Sequence, residues 1–276
     1  MIYDDTICSL GEGPLWHPER QEFFWFDILS KCLHRKGQHW QFDECVSAAG
    51  WVNDDQMMIA SQSALSLFTI STGQSDLIAP LEADNPITRS NDGRADPYGG
   101  FWIGTMGFNA EDKAGAIYRY YRGEVRKIIP DITITNAICF APDGDFAYYV
   151  DTLDRRVMRV ALDGDGWPVG DAVVWLDARG ETWGVDGAVI DAQGRFWNAQ
   201  WGANRVACYD QNAQFIEAVG FPATQTSCPA FGGNDLKTLF CTSAAEGIEN
   251  SLNPHNGKTF AVDVDAIGQA EHRVIL

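Results

Sequence analysis

Histidine is scarce in this chain of 276 residues. There are five, His17, His34, His39, His255 and His272, with no HExxH or other paired spacing. That argues against a histidine-rich zinc site and against a His-based catalytic triad. Positive charge is also short, with 20 Lys and Arg against 38 Asp and Glu and a formal net charge of -18. Neutralising phosphates needs basic patches, so neither nucleic acid nor an anionic membrane is expected as a partner. No apolar run approaches the about 18 residues a membrane span needs. Met1-Ile2-Tyr3-Asp4-Asp5 lacks the basic region and apolar core of a signal peptide. The seven cysteines are odd in number and show no CxxC spacing, which speaks against a disulfide framework. Reduced thiols in a cytoplasmic protein are expected, with Cys139 and Cys241 as core residues of apolar strands.

Nucleotide and nucleophile motifs are missing as well. The chain has no G-x-S-x-G elbow, no P-loop and no dinucleotide fingerprint after a strand. Gly11-Glu12-Gly13 is not followed by a helix. Asp163-Gly164-Asp165-Gly166 resembles the start of a calcium loop but lacks its later glutamate, so a hairpin turn is expected there. No apolar stripe is sustained at i, i+3, i+4 and i+7, which disfavours a helical solenoid.

What the chain does have is an internal repeat. Turn-and-strand units recur at residues 16–27, 53–61, 96–105, 141–151, 191–200 and 232–242, each a Gly, Asp, Asn or Pro turn before an aromatic or β-branched strand. Corresponding strand positions fall near Trp25, Met58, Trp102, Tyr149, Trp197 and Phe240. Six units of about 46 residues, with β punctuation, predict an all-β, six-bladed β-propeller. The repeat runs end to end without a linker, so residues 1–276 are expected to form a single domain.

Four polar residues share one phase of that repeat. Glu12, Asn91, Asn136 and Asp186 each lie eight positions before a turn tip, at Arg20, Gly99, Gly144 and Gly194. Radial repetition brings equivalent positions together at one end of a central channel. Two carboxylates and two amides meeting there read as an oxygen-ligand metal site beside a substrate hook. Each residue also has a plainer reading: a solvated turn glutamate, an asparagine bonded to backbone, a paired aspartate. The two remaining equivalent positions, near Ala48 and Cys228, are uncharged, so the polar set is selective.

Gly11-Glu12-Gly13-Pro14-Leu15-Trp16, Arg89-Ser90-Asn91-Asp92-Gly93, Thr135-Asn136, Asp186-Gly187 and Phe231-Gly232-Gly233 occur in this order along almost the whole chain. This pattern resembles the gluconolactonase / senescence-marker-protein-30 family. Val185 departs from it, where many members carry Pro. Trp201-Gly202 and Phe231-Gly232-Gly233-Asn234-Asp235-Leu236 resemble the bacterial sugar lactonase subgroup.

The resemblance implies a six-bladed propeller with one divalent cation and hydrolysis of a small-molecule sugar lactone. Glu12, Asn136 and Asp186 are similar to the metal ligands, and Arg89 and Asn91 to the residues that hold substrate. A divalent cation stabilises charge developing on the lactone oxygen and lowers the pKa of bound water. Asp186 is the first candidate for general base, although ligation depresses its pKa and weakens it as a base. Asp92 is the alternative, and strand parity sets it on the opposite side from Arg89 and Asn91 unless the backbone twists. Oxygen ligands suit Ca²⁺, Mg²⁺ or Mn²⁺, with Zn²⁺ and Fe(II) also open. Two other functions remain open. One is hydrolysis of other lactones or organophosphate esters in an apolar pocket near Trp183 and Trp201. The other is a non-catalytic metal-binding propeller, and a monomer or small homo-oligomer suits all three.

Overall fold

The computed structural model describes residues 1–249 and 253–276. Among these there is no helix, and the strands form six four-stranded antiparallel sheets. Five sheets are built from consecutive strands over residues 11–41, 46–80, 88–132, 135–177 and 184–220. The sixth combines Gln225–Gly232, Thr238–Ala244 and Thr259–Asp263 with the N-terminal strand Ile2–Asp4 as its outermost member. Both ends of the sequence thus meet in one blade and close the ring. The expected six-bladed propeller is what the chain forms.

Burial follows the strand order within each blade. Innermost strands such as Gly11–His17 and Thr135–Phe140 are buried throughout. Outermost strands such as Gln38–Gln41 and Phe215–Gly220 are largely exposed. Apolar packing is divided among the six junctions between neighbouring blades. Leu15, Phe24 and Phe26 meet Met57, Ile59 and Phe68 between blades 1 and 2. Trp102 meets Phe140 edge-on at 5.4 Å between blades 3 and 4, and Trp197 meets Phe231 in the same way at 5.6 Å between blades 5 and 6. The recurring residues Trp25, Met58, Trp102, Tyr149, Trp197 and Phe240 all lie on second strands and are all buried.

Each innermost strand carries an extra residue at a bulge near its start, and that of blade 2 carries a second between Trp51 and Asn53. Pairing passes from Glu12↔Phe26 to Leu15↔Phe24, from Ser90↔Thr105 to Gly93↔Ile103, and from Asn136↔Val150 to Cys139↔Tyr148. It passes likewise from Val185↔Gln200 to Ala188↔Asn198 and from Thr226↔Ser243 to Pro229↔Cys241, and blade 2 has its bulge between Val46 and Ala48. A bulge re-aims side chains and bends the strand. In blade 1 the distortion requires glycine: Gly13 has φ +52°, and a Cβ there would stand 2.1 Å from the Ser47 carbonyl oxygen. Ala137 holds φ +57° at the matching point of blade 4.

The C-terminal segment crosses the end of the channel at which the innermost strands finish. Gly268 donates its N–H to Leu236 O at 2.8 Å, and Gln269 Nε2 donates to Phe140 O and Ile190 O. Val274 N donates to Trp51 O, and the Glu271 carboxylate accepts from Arg94. The Asp163–Gly166 stretch is a hairpin turn as expected, with Asp163 Oδ1 accepting from Asp165 N and Trp167 N at 2.9 Å.

Arg119 and Asp96 form a fully buried ion pair, Nε to Oδ2 at 2.7 Å. Removing one partner strands the other charge. Asp96→Ala is expected to lower the unfolding free energy by about 3–5 kcal/mol, read from the denaturant midpoint at unchanged slope.

Candidate active site

At the end where the innermost strands begin, Glu12, Arg89, Asn91, Asn136 and Asp186 line one cavity of about 480 Å³. The residues that share a phase in the sequence therefore converge. All five sit at or beside the bulges of blades 1, 3, 4 and 5. Blades 2 and 6 contribute serines at their bulges instead. Ser47 Oγ donates to Ser90 Oγ at 2.8 Å, and Ser227 Oγ donates to Thr242 Oγ1 at 2.9 Å.

The amides are held by a continuous set of hydrogen bonds. Thr152 Oγ1 donates to Val185 O at 2.9 Å and accepts from Asn136 Nδ2 at 2.9 Å. That fixes the Asn136 NH₂ group toward blade 5 and leaves its Oδ1 as an acceptor. Asn91 Nδ2 donates to this Oδ1 at 3.2 Å and to Thr135 O at 2.8 Å. Arg89 Nη1 donates to Asn91 Oδ1 at 2.8 Å and to Ser90 O at 2.9 Å. Arg89 Nε is buried without a hydrogen-bond partner. Burial also pulls the Arg89 pKa below its usual value, opposed by Cys45, Glu12 and Glu246.

The carboxylates are under electrostatic stress. Burial, with repulsion from Asp92, pushes Glu12 up to about 8, against the Gly13 N–H and Arg89. Burial, with repulsion from Glu12 and Asp92, holds Asp186 well above the usual carboxylate range, opposed by the Gly187 N–H. Asp92 is pushed up to about 6 by burial, opposed by the Ile138 N–H and Arg94. Among the described residues, no Lys, Arg or His nitrogen comes within ion-pair distance of these three acids. Buried carboxylates without a counter-charge are costly, and a cation is the natural compensation. Two carboxylates and one amide oxygen are a donor set for a hard divalent ion. Among the described residues no three His, Cys, Asp or Glu side chains form such a set, because the third oxygen here belongs to an amide.

Asp92 stays off the cavity wall, in line with its strand parity. At the bulge its carboxylate turns to blade 4, where Oδ2 accepts the Ile138 N–H at 2.7 Å. Trp201 lines the cavity, but Trp183 does not. Trp183 lies between the lining residues Thr182 and Gly184, and its side chain packs into the apolar junction between blades 4 and 5. The sequence reading missed Met106, Thr152, Arg155 and Glu246, which also line the cavity. Met106 lies late in a second strand and the other three follow the ends of second strands. They stand at different distances from their strand ends, so no shared repeat phase marks them.

The sequence model described as "SMP-30/Gluconolactonase/LRE-like region" matches residues 10–245. The chain belongs to that family. A protein of Rhizobium meliloti (strain 1021), whose name proposes a sugar lactone lactonase, is 41% identical over 97% of this chain and 94% of its own length. The 6-deoxy-6-sulfogluconolactonase of Pseudomonas putida is 31% identical over 95% of this chain and 94% of its own. Among solved structures, a protein of Agrobacterium tumefaciens str. C58, titled as the calcium-binding protein regucalcin, superposes with a TM-score of 0.97. It shares 42% identity, covering 100% of this chain and 97% of that one.

The raised carboxylates set a pH dependence for this SMP-30/gluconolactonase family member. Folded Glu12 keeps its proton up to about pH 8, whereas an unfolded glutamate releases it near about 4.3. The folded state binds more protons across that interval, so the stability of chelator-treated protein falls as pH rises through it. Urea midpoints should decline from about pH 5 to about pH 8 without metal, and a saturating divalent cation should flatten the decline. A midpoint rising over that window would contradict this account.

Proposed function

We propose that this protein hydrolyses sugar lactones to sugar acids in carbohydrate catabolism, with one divalent cation held by Glu12, Asn136 and Asp186. The observation that carries the reading is the floor of the cavity. Two buried carboxylates, without a basic partner among the described residues, and a fixed amide oxygen meet there beside Arg89 and Asn91. Relatives named for lactone hydrolysis along nearly their full length support it. All seven cysteines are free and buried, which favours a reducing compartment, the cytoplasm.

A cation at this point supplies Lewis-acid polarisation of the lactone carbonyl and stabilises the charge that develops on its oxygen. The protein's own groups do the rest. Arg89, on the cavity wall, offers Nη2, which makes no hydrogen bond to the described residues, and Asn91, locked by three hydrogen bonds, offers a remaining lone pair on Oδ1 to a substrate hydroxyl. Asp186, on the wall of the cavity, takes a proton from the attacking water as its oxygen bonds to the carbonyl carbon. The ring C–O bond then breaks, and Asp186 returns that proton to the departing alkoxide. Asp92 keeps its place as the alternative base, but its bond to Ile138 N fixes it behind the wall. Thr152 positions the Asn136 amide.

Aldonolactones offered to the metal-loaded protein should release acid, followed with a pH indicator against a no-enzyme control. Asp186→Ala should abolish the metal-dependent rate in a folded propeller, and full activity in that variant would reject the assignment. Asn91→Ala should weaken substrate use more than metal uptake, and an equal collapse of metal affinity would make Asn91 a ligand. Thr152→Val removes the bond that orients Asn136 while keeping the side chain's shape. By calorimetry it should weaken metal binding by roughly 10–100-fold, and unchanged affinity would remove Thr152 from the site.

A second reading has one observation in its favour. Leu10, Met106, Ile134, Leu153 and Trp201 give the cavity an apolar wall, which suits lactones or organophosphate esters with apolar substituents. An aromatic lactone and an organophosphate ester in the same assay separate the two.

A further inference from the structure

One cationic side chain on the cavity wall has no part in the chemistry above. Arg155 belongs to the loop that follows the second strand of blade 4, Phe146–Asp151, and lines the cavity together with Thr182 and Glu246. Three bonds hold it in place. Its N–H donates to Asp151 O at 2.9 Å, its carbonyl accepts from Ala178 N at 2.9 Å, and Nη1 donates to Glu181 O at 2.6 Å. Nε and Nη2 make no hydrogen bond to the described residues. No carboxylate among those residues stands within ion-pair distance of its guanidinium, and neighbouring Asp154 pairs with Arg156 instead.

Place and charge then decide what Arg155 can bind. Glu12 and Asp186 stand on innermost strands at the floor, whereas Arg155 lies on a loop beyond the strand ends, toward the mouth. A lactone with its carbonyl at the floor presents its far end to Arg155. With a divalent ion in place, the lining sets two arginines and a double positive charge against Glu12, Asp186 and Glu246, and is net positive within a chain of charge -18. A guanidinium fork with open N–H groups matches a group bearing anionic oxygens. We propose that Arg155 is a specificity-determining residue that takes such a group, so that the substrate is a sugar lactone with a second acidic group remote from the carbonyl. This rests on the lactonase reading.

The test uses three matched lactones of equal length, one neutral, one ending in a carboxylate and one in a phosphate ester. The native enzyme should favour an acid-bearing lactone in kcat/KM by roughly tenfold or more, and the two acidic probes identify which anion fits. Arg155→Gln should erase most of that preference through KM, and Arg155→Lys should keep part of it. Calorimetry with the ring-opened acids gives an independent readout: the doubly charged acid should bind more tightly than the singly charged one, and Arg155→Gln should remove the difference. No preference in the native enzyme, or an equal loss on all three lactones in Arg155→Gln, overturns the proposal. If none of the lactones is opened but the Arg155-dependent binding of the double acid persists, the lactonase reading fails and the anion site stands. If that binding is absent too, both fall.

Discussion

Burial of like charge at the propeller axis is the constraint around which this site is organised. Asp92 raises the proton affinity of Glu12, and both raise that of Asp186, where all three are buried and, among the described residues, no basic side chain comes within ion-pair distance. Such an arrangement is costly unless something positive completes it. The surrounding amides are already committed. Asn136 is fixed through Thr152 to Val185, and Asn91 is held between Arg89, Thr135 and Asn136. The site is thus rigid in its neutral members and unbalanced in its charged ones, a combination suited to preorganised binding of a cation and of a polarised carbonyl.

The bulges let the scaffold tolerate this arrangement. A regular innermost strand would alternate its side chains between the two blade junctions, where apolar packing dominates. One extra residue per strand breaks the alternation at a single level of the channel and turns polar side chains toward the axis without disturbing the apolar residues above and below. Gly13 shows how tight that level is, since only a residue without a Cβ fits against Ser47 O. Asp92 shows the same device used structurally, with its carboxylate accepting the Ile138 N–H of the next blade.

The two ends of the channel have been put to different uses. At the finishing ends of the innermost strands, the C-terminal segment covers the channel and brings Glu271 to the buried Arg94. At the starting ends, the positions near the ends of the second strands form a mouth with an apolar side of Leu10, Met106 and Trp201 and a charged side of Arg155 and Glu246. On the proposed reading, activity on a lactone carbonyl belongs to the floor, which the blades hold in common register. On the same reading, discrimination among lactones belongs to the mouth, where loops of blades 4, 5 and 6 supply Thr152, Arg155, Gly202 and Glu246.

Much of this architecture was legible before any coordinates. Turn residues and aromatic strands at a period of about 46 residues select a propeller, because helical repeats of that spacing would need an apolar stripe that this chain lacks. The shared phase of Glu12, Asn91, Asn136 and Asp186 brings them to one end of the channel, since radial repetition converts equal phase into proximity. Phase carries no information about loops, so Arg155, Glu246 and Thr152 stayed hidden, as did the packing of Trp183 into a blade junction beside the cavity. Nor does periodicity reveal a bulge, which is a mismatch between two strands and exists only once they pair. The sequence by itself determined the ring and the polar set it gathers. Tertiary pairing alone decided which way each of those side chains faces, because the extra residue that turns them has no meaning in an unpaired strand.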